Sequence, residues 1–539
     1  MTAVPDDSRP HPDHVLAQAL AADLDDADFR SDALRQLWGA ESDDALARGL
    51  REPILRALAD REDALPTLGR LWVLGMPQPL AAVEQALPRV GIDGLAALGL
   101  ASVEGARIVP RALIRPQSFV DAGGVGEWWI ASDLDEIALG SSLPADHVLG
   151  VGGASRTLAE LVIPTPVERA LDLGTGCGIQ ALLIARNAGH VVATDISSRA
   201  LAYAELNAQL NGVRNIEFRE GSLFEPVAGE SFDLVVSNPP FVITPRATDV
   251  PEYEYRDGGM IGDALVERFL RAVPQHLSPG GVAQLLGNWE SSSAVGSGLD
   301  RVRSWVADDL DAWVIQREEL SPLAYAELWI RDGGTLPRDA EFTRLLTAWL
   351  DDFADRGVTA VGFGYILLRR PGVAARSGYE SGADTPDVGR DAGNGPTSGV
   401  SAPQVHPYAA PLHRFETVTQ PVSGLGRALA TGLAAHDLLA EGIPQRLVVA
   451  PDVTEARHFM PGNDDPSVIE LRQGGGFGRT LKVDPALAGF VGACDGELTV
   501  GQIAAALADL FDVPLPELWA QIEPRIRELV FDGLLVPAE

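Results

Sequence analysis

Apolar residues recur at helical spacing from the first stretch that shows any pattern: Leu16, Leu20 and Leu24, then Leu34, Leu37 and Trp38, then Leu46, Leu50, Ile54 and Leu58. Steps of three and four residues place such side chains on one helix face, so the chain opens on helices. Further helices are expected at 65–74, 80–87 and 91–98, the first two parted by the MPQP segment, and 101–114 reads as a β-hairpin turning at Glu104-Gly105. Helices closed by a small hairpin suggest a winged helix, and the same order serves equally as a helical cap on a neighbouring domain.

The pattern changes at residue 169. Short apolar runs of strand length at 169–172, 191–194, 216–219 and 232–236 now alternate with helical stretches at 179–187, 198–211 and 263–277. That alternation predicts an α/β domain with a parallel sheet. Strands at 281–289, 312–317, 326–331 and 358–370 and helices at 299–310 and 342–353 extend it. Residues 371–413 are rich in Gly, Ser, Pro and Asp without apolar periodicity, so a disordered insertion is expected. A strand at 413–422 then returns, pairing with the end of 358–370. Residues 425–539 read as a separate domain: a helix at 425–439, strands at 445–449, 468–471 and 480–483, and a winged-helix-like end. The division expected is a tail at 1–14, an N-terminal domain at 15–118, a central domain at 119–370, the insertion at 371–413 and a C-terminal domain at 414–539.

Composition narrows the class. With 539 residues, 46% hydrophobic and 22% charged, the chain is an ordinary globular protein of several domains. A net charge of -34 opposes long-range attraction to nucleic acid, though a local basic patch remains compatible with it. All but one of the 42 basic residues are arginine, Lys482 being the exception, a bias resembling high-GC bacterial codon usage. Two cysteines, Cys177 and Cys494, cannot build a disulfide framework, and no Cys/His cluster suggests a metal. The first 14 residues lack a basic start and an apolar core, and no apolar run reaches membrane-spanning length, so a cytoplasmic protein without a membrane partner is expected.

The chemistry sits in two segments. RALDLGTGCGIQALLIARNAGHVVATD, 169–195, gives a strand ending in Asp172, a glycine turn at Gly174, Gly176 and Gly178, a helix, and a second strand ending in Asp195. This is half of a nucleotide-binding βαβ unit with an acid where a ribose hydroxyl would lie. GxGxG alone is a weak signal, but a dinucleotide site would more usually show GxGxxG, and here Ile179 takes that place. The second segment, FDLVVSNPPF at 232–241, puts Asn238, Pro239, Pro240 and Phe241 at the C-terminal end of a strand, where open α/β sheets bind ligands. Neither proline has an N–H, so the loop offers acceptors: the Asn238 side-chain oxygen and the Pro239 carbonyl. Two acceptors suit an NH2 group, and Phe241 suits a planar one. Cys177, inside the turn, reads as a small buried thiol.

Taken together these segments resemble the class I S-adenosylmethionine-dependent methyltransferases of the NPPY/F type, above all release-factor glutamine methyltransferases and small-domain ribosomal RNA methyltransferases. The resemblance implies a Rossmann-like, seven-stranded core with one late strand antiparallel, carrying helical winged-helix-like and α+β winged-helix-like domains at its two ends. It implies S-adenosylmethionine as cofactor, with Asp172, Gly174, Thr175, Gly176 and Gly178 around its amino-acid end. Asp195 then stands at the ribose with Ile196 next to it, and Ser222 and Leu223 border adenine. Asn238, Pro239, Pro240 and Phe241 are the implied catalytic set, Asn238 also adjoining the cofactor. Many relatives have Asp or Glu where this chain has Ser222. The segment 119–163 resembles one that partly covers the site, and Tyr253 to Gly259 one that finishes the acceptor pocket. The implied activity is N-methylation of a planar amide or amino nitrogen, in a translation-factor protein or in ribosomal or transfer RNA. The terminal modules would recruit the substrate, a protein partner or a second copy. A non-catalytic cofactor-binding scaffold and a nicotinamide-dependent oxidoreductase are the alternatives.

Overall fold

The computed structural model describes residues 9–121, 124–140, 143–247, 250, 256–372, 410–418 and 424–538. Its centre is an eight-stranded sheet: β1 (Val167–Leu173), β2 (Ala188–Asp195), β3 (Ile216–Glu220), β4 (Phe232–Ser237), β5 (Leu277–Ser292), β6 (Asp311–Leu320), β7 (Val358–Arg369) and β8 (His413–Thr417). Their spatial order is β8-β6-β7-β5-β4-β1-β2-β3. Strands β1 to β5 pair in parallel, β7 runs antiparallel to both β5 and β6, and β8 lies parallel to β6. Successive residues of β1, from Ala170 to Leu173, are all buried, as a strand covered on both faces requires. The α/β core thus has the seven strands the sequence implied, and an eighth at its edge.

Helices α1 (Gly153–Leu161), α2 (Ile179–Ala185), α3 (Ser198–Leu210), α4 (Ala264–Ala272), α5 (Pro322–Asp332), α6 (Ala340–Asp355) and α7 (Leu425–Glu441) flank the sheet. Gly178 opens α2 with φ of +86°, and a Cβ there would come within 2.9 Å of the Ala204 Cβ on α3. Only glycine meets both demands.

Several elements differ from the sequence reading. The expected strand at 326–331 is part of helix α5. Ser321 caps it, accepting from the Ala324 N–H, Pro322 starts it, and Tyr325, Ala326 and Ile330 bury one helical face, which a period-two reading of the same residues conceals. The strand after the insertion does not pair with β7, because β7 already has β5 on one edge and β6 on the other. It adds to the free edge of β6 instead. The tail expected at 1–14 is placed from residue 9: the His11 N–H donates to the Leu98 carbonyl, Pro10 is buried, and Asp13 caps the helix His14–Asp26. Of the expected insertion, 373–409 lie outside the described residues, as do 1–8.

The outer regions share the central core. A boundary at 118/119 would cut the hairpin Ala112–Asp121/Gly124–Asp133, and the inner end of that hairpin is bonded to α3. Asn207 accepts from the Ala131 N–H and donates to the Ala131 and Cys177 carbonyls, while Asn211 bridges both backbone groups of Trp129. The N-terminal helices bury Leu20 and Leu24 in one cluster with Tyr203, Leu206 and Leu210 of α3.

The C-terminal region is likewise not separate. Leu425, Leu429 and Leu433 of α7 form one core with Leu158 and Leu161 of α1, Trp313 and Ile315 of β6 and Tyr365 and Leu367 of β7. Gly432 lets α7 approach the Trp313 ring, where a Cβ would fall at 2.5 Å. Beyond α7, Leu447–Val449 pairs with Leu535–Pro537 around the helices Pro485–Gly492, Val500–Phe511 and Leu515–Phe531. A partly buried ion network fastens this region to β8: Arg414 and Arg479 share the carboxylates of Glu416 and Asp532, and the Trp313 indole N–H donates to Glu416.

Candidate active site

The C-terminal edge of the sheet gathers the ends of β1, β2, β4, β5 and β6. Asp172, one residue before the end of β1, is fully buried, and the Thr175 hydroxyl donates to its Oδ2 at 2.6 Å. Its Oδ1 has no hydrogen-bond partner among the described residues. Burial lifts this carboxyl to about 7, with the Thr175 hydrogen bond opposing. The backbone then bends back, Gly174 and Thr175 N–H both donating to the Thr194 carbonyl. Gly174 and Gly176 have positive φ and open space where a Cβ would stand, so the turn presents bare backbone to the cleft.

Asp195, at the end of β2, accepts the Gly176 N–H on Oδ2 and the Ser197 N–H on Oδ1, each at 2.9 Å. Burial raises its carboxyl too, the backbone N–H donors opposing. Each oxygen keeps a further lone pair. Ile196 beside it is 66% exposed, a large aliphatic side chain standing in solvent next to a half-buried acid. The loop after β3 comes to the same place, as Gly221 N–H donates to the Asp195 carbonyl. In that loop Leu223 has φ of +48°, one of three described non-glycine residues with positive φ.

Asn238 follows β4 directly, and Ser237 fixes that end by donating to the Leu173 carbonyl at 2.7 Å. The Asn238 Nδ2 donates to the Ser155 hydroxyl of α1 at 3.5 Å, and its buried Oδ1 has no partner among the described residues. Pro239 is buried, Pro240 half-buried. The Phe241 ring lies 5.4 Å from that of Phe363 on β7 and 6.5 Å from that of Trp329 on α5. So the structure brings the Asp172 turn and Asp195 together with the loop after β3, and sets the Asn238 loop at the next strand end.

The segment expected to finish the pocket is described only from Arg256. From Arg256 onward it is no solvated loop: Val242 N–H donates to the Arg256 carbonyl, and Asp257 is buried, bridging to Phe241 and paired with Arg246. These contacts clasp the Asn238 loop from behind. Tyr325 clasps it from α5, its hydroxyl accepting from the Ile243 N–H at 3.0 Å and from the buried Asn288 amide. Cys177 is a buried thiol pushed up to about 11 by desolvation, and is no nucleophile. No cluster of metal ligands exists among the described residues, and no described helix is long and apolar enough to cross a membrane.

Ser155, Tyr325, Trp329 and Phe363 are absent from the sequence reading. Ser155 lies in a glycine-rich run with no chemical pattern, and the strand expected at 326–331 hides Tyr325 and Trp329.

Residues 150–294 match the family described as methyltransferase small domain, and residues 26–111 match a family described as a domain of unknown function. A release factor glutamine methyltransferase of Xylella fastidiosa is 43% identical over 138 residues, covering 24% of this chain and 50% of the relative. One of Geobacter sulfurreducens is 39% identical over 137 residues, covering 23% and 48%. A ribosomal protein uL3 glutamine methyltransferase of Bradyrhizobium diazoefficiens is 38% identical over 128 residues, covering 22% and 40%. The chain spans about half the length, or less, of these curated relatives. The glycine turn, the two acids and the Asn-Pro-Pro-Phe strand end all fall inside residues 150–294, the region that matches the methyltransferase small domain and that is similar to these glutamine methyltransferases.

Proposed function

We propose that the protein methylates the side-chain amide nitrogen of a glutamine in another protein, using S-adenosylmethionine. The observation that carries this is the Asn238 Oδ1, a buried acceptor without a donor among the described residues, at the mouth of the strand next to the glycine turn. A buried unpaired carbonyl costs roughly 1–3 kcal/mol, which an incoming N–H would recover. The named relatives that act on glutamine in proteins, and the charge of -34, which disfavours a nucleic acid, support the same choice.

The residues present fit the cofactor. Asp172 has a free buried Oδ1 suited to an ammonium group, the bare turn at Gly174 and Gly176 leaves room for a close ligand, Asp195 has lone pairs for two hydroxyls, and exposed Ile196 and the Ser222-Leu223 loop offer apolar walls for an aromatic base. When bound, S-adenosylmethionine supplies an electrophilic methyl group.

The chain's own part is to prepare the acceptor. An amide nitrogen is a weak nucleophile because its lone pair is delocalised into the carbonyl. Asn238 Oδ1 and the Pro239 carbonyl accept its two protons, which favours a localised lone pair and holds the nitrogen toward the glycine turn. Phe241, backed by Phe363 and Trp329, faces the amide plane and excludes water. No general base is required, since the proton leaves after the nitrogen has become cationic.

The test is transfer of tritiated methyl to an extract of a deletion strain, followed by protease or ribonuclease. Label lost to protease and recovered as methylglutamine supports the proposal; label lost to ribonuclease refutes it. Binding of NAD with no response to S-adenosylhomocysteine would favour an oxidoreductase instead.

A further inference from the structure

The Asn238 amide can serve an NH2 acceptor in only one of its two orientations. A half-turn about its last bond exchanges Oδ1 and Nδ2, and would then meet the incoming donor with a donor. The loop itself cannot choose, because Pro239 and Pro240 have no N–H to offer the side chain. The selecting contact comes from elsewhere in the chain. Nδ2 donates to the Ser155 hydroxyl, and this leaves Oδ1 open. Ser155 sits in the first turn of α1, and its carbonyl accepts the Gln180 side-chain N–H at 2.6 Å. Gln180 is buried and is the second residue of α2, the helix that opens at Gly178.

We propose that Ser155 is the positioning residue for the Asn238 amide and that Gln180 ties its setting to the glycine turn; this rests on the assignment of Asn238 to the acceptor. The hydroxyl takes the amide N–H on the side away from Oδ1, so the carbonyl oxygen is the group left for the substrate. The 3.5 Å separation is at the long end for a hydrogen bond. Through Gln180, any shift of the turn at Gly174 to Gly178 is passed to α1 and so to Asn238. The acceptor amide is thereby set together with the cofactor loop.

The test compares Ser155→Ala and Ser155→Thr in the full chain. Selective 15N-asparagine labelling gives the Asn238 side-chain NH2 signal, assigned by its loss in Asn238→Ala. The alanine variant is expected to move this signal and speed its solvent exchange, while the threonine variant keeps it near wild type. Labelling of protease-sensitive material in a deletion-strain extract, at saturating methyl donor, falls about tenfold in Ser155→Ala and recovers to within about threefold in Ser155→Thr. S-adenosylhomocysteine affinity and melting temperature stay unchanged. An unmoved Asn238 signal in Ser155→Ala overturns the proposal, and so does a loss of cofactor affinity that tracks the loss of rate, since Ser155 would then be a cofactor contact. Wild-type transfer by Asn238→Ala would sink the acceptor assignment instead, and the NH2 signal would still decide the Ser155 contact.

Discussion

Replacing Asp172 by Asn tests the buried carboxylate in two ways at once. In the unfolded chain this group titrates near 3.8, and in the fold burial lifts it to about 7. A carboxyl raised on folding leaves the native state at its best at low pH, where both states are protonated. Its contribution is lost as pH climbs from the lower value through the upper, because only the unfolded state ionises freely in that window. At 1.36 kcal/mol for each pH unit between those two values, the ionised carboxylate costs the fold ~4 kcal/mol once the pH exceeds the upper one. The amide removes the charge and keeps the shape, and the Thr175 hydroxyl can still donate to its oxygen. Its NH2, placed where Oδ1 now has no partner, costs roughly 1–2 kcal/mol in return. The net expectation is a variant more stable than wild type by ~2–3 kcal/mol near pH 8.5 and no more stable near pH 4. Thermal melts across that range, without ligand, measure the difference. S-adenosylhomocysteine should respond in the opposite sense. Wild-type affinity falls about tenfold per pH unit well below 7, as the ammonium loses its carboxylate partner, and Asp172→Asn binds weakly at every pH. A stability difference that does not change with pH, or a wild-type affinity flat from about pH 5.5 to about pH 8.5, would refute the reasoning.

Other perturbations separate the parts of the site. Asn238→Ala should abolish methyl transfer with S-adenosylhomocysteine affinity held within about twofold by calorimetry, since the residue is assigned to the acceptor. Asp195→Ala should weaken that affinity by at least about tenfold, because it removes the proposed ribose acceptor and frees the Gly176 N–H it holds. Tyr325→Phe leaves the Ile243 N–H and the Asn288 amide without their buried acceptor; a loss of about 1–3 kcal/mol in denaturant melts and slower transfer at unchanged cofactor affinity are expected. Asp532→Ala strips one of two shared carboxylates from Arg414 and Arg479, which keep Glu416; a loss of about 1–3 kcal/mol and greater sensitivity of residues 424–538 to limited proteolysis are expected.

The fold is legible where its signal is local. Strands β1, β2 and β4 carry short apolar runs at 170–171, 191–193 and 234–236 that lead into Asp172, Asp195 and Asn238, whereas β3 alternates apolar and charged residues. The candidate site is legible for the same reason: Asp172 to Gly178, Asp195 and Asn238 to Phe241 each lie at a strand end, so a contiguous motif states its own position. What escapes depends on contacts between distant segments. Ser155 reaches Asn238 across 83 residues, and nothing in GGAS announces it. Helix α5 reads as a strand because AELWIR satisfies two periods, and only the burial of Tyr325 and Ile330 against α6 and β7 decides between them. The edge taken by β8 follows from which strands are already paired, which no local pattern records.

The shared core also sets an order of events during synthesis. Trp313, Ile315, Tyr365 and Leu367 face the side that α7 and Phe531 later cover, and β8 completes the sheet only after β7 is long finished. At roughly 5–20 residues per second, on the order of ten seconds or more pass between the emergence of β7 and that of Phe531. For that interval the nascent chain carries an uncovered aromatic face and an open β6 edge, a template for association with other chains. The catalytic sheet therefore cannot mature ahead of the C-terminal region, and a chain stopped after β7 is expected to need a chaperone or to aggregate.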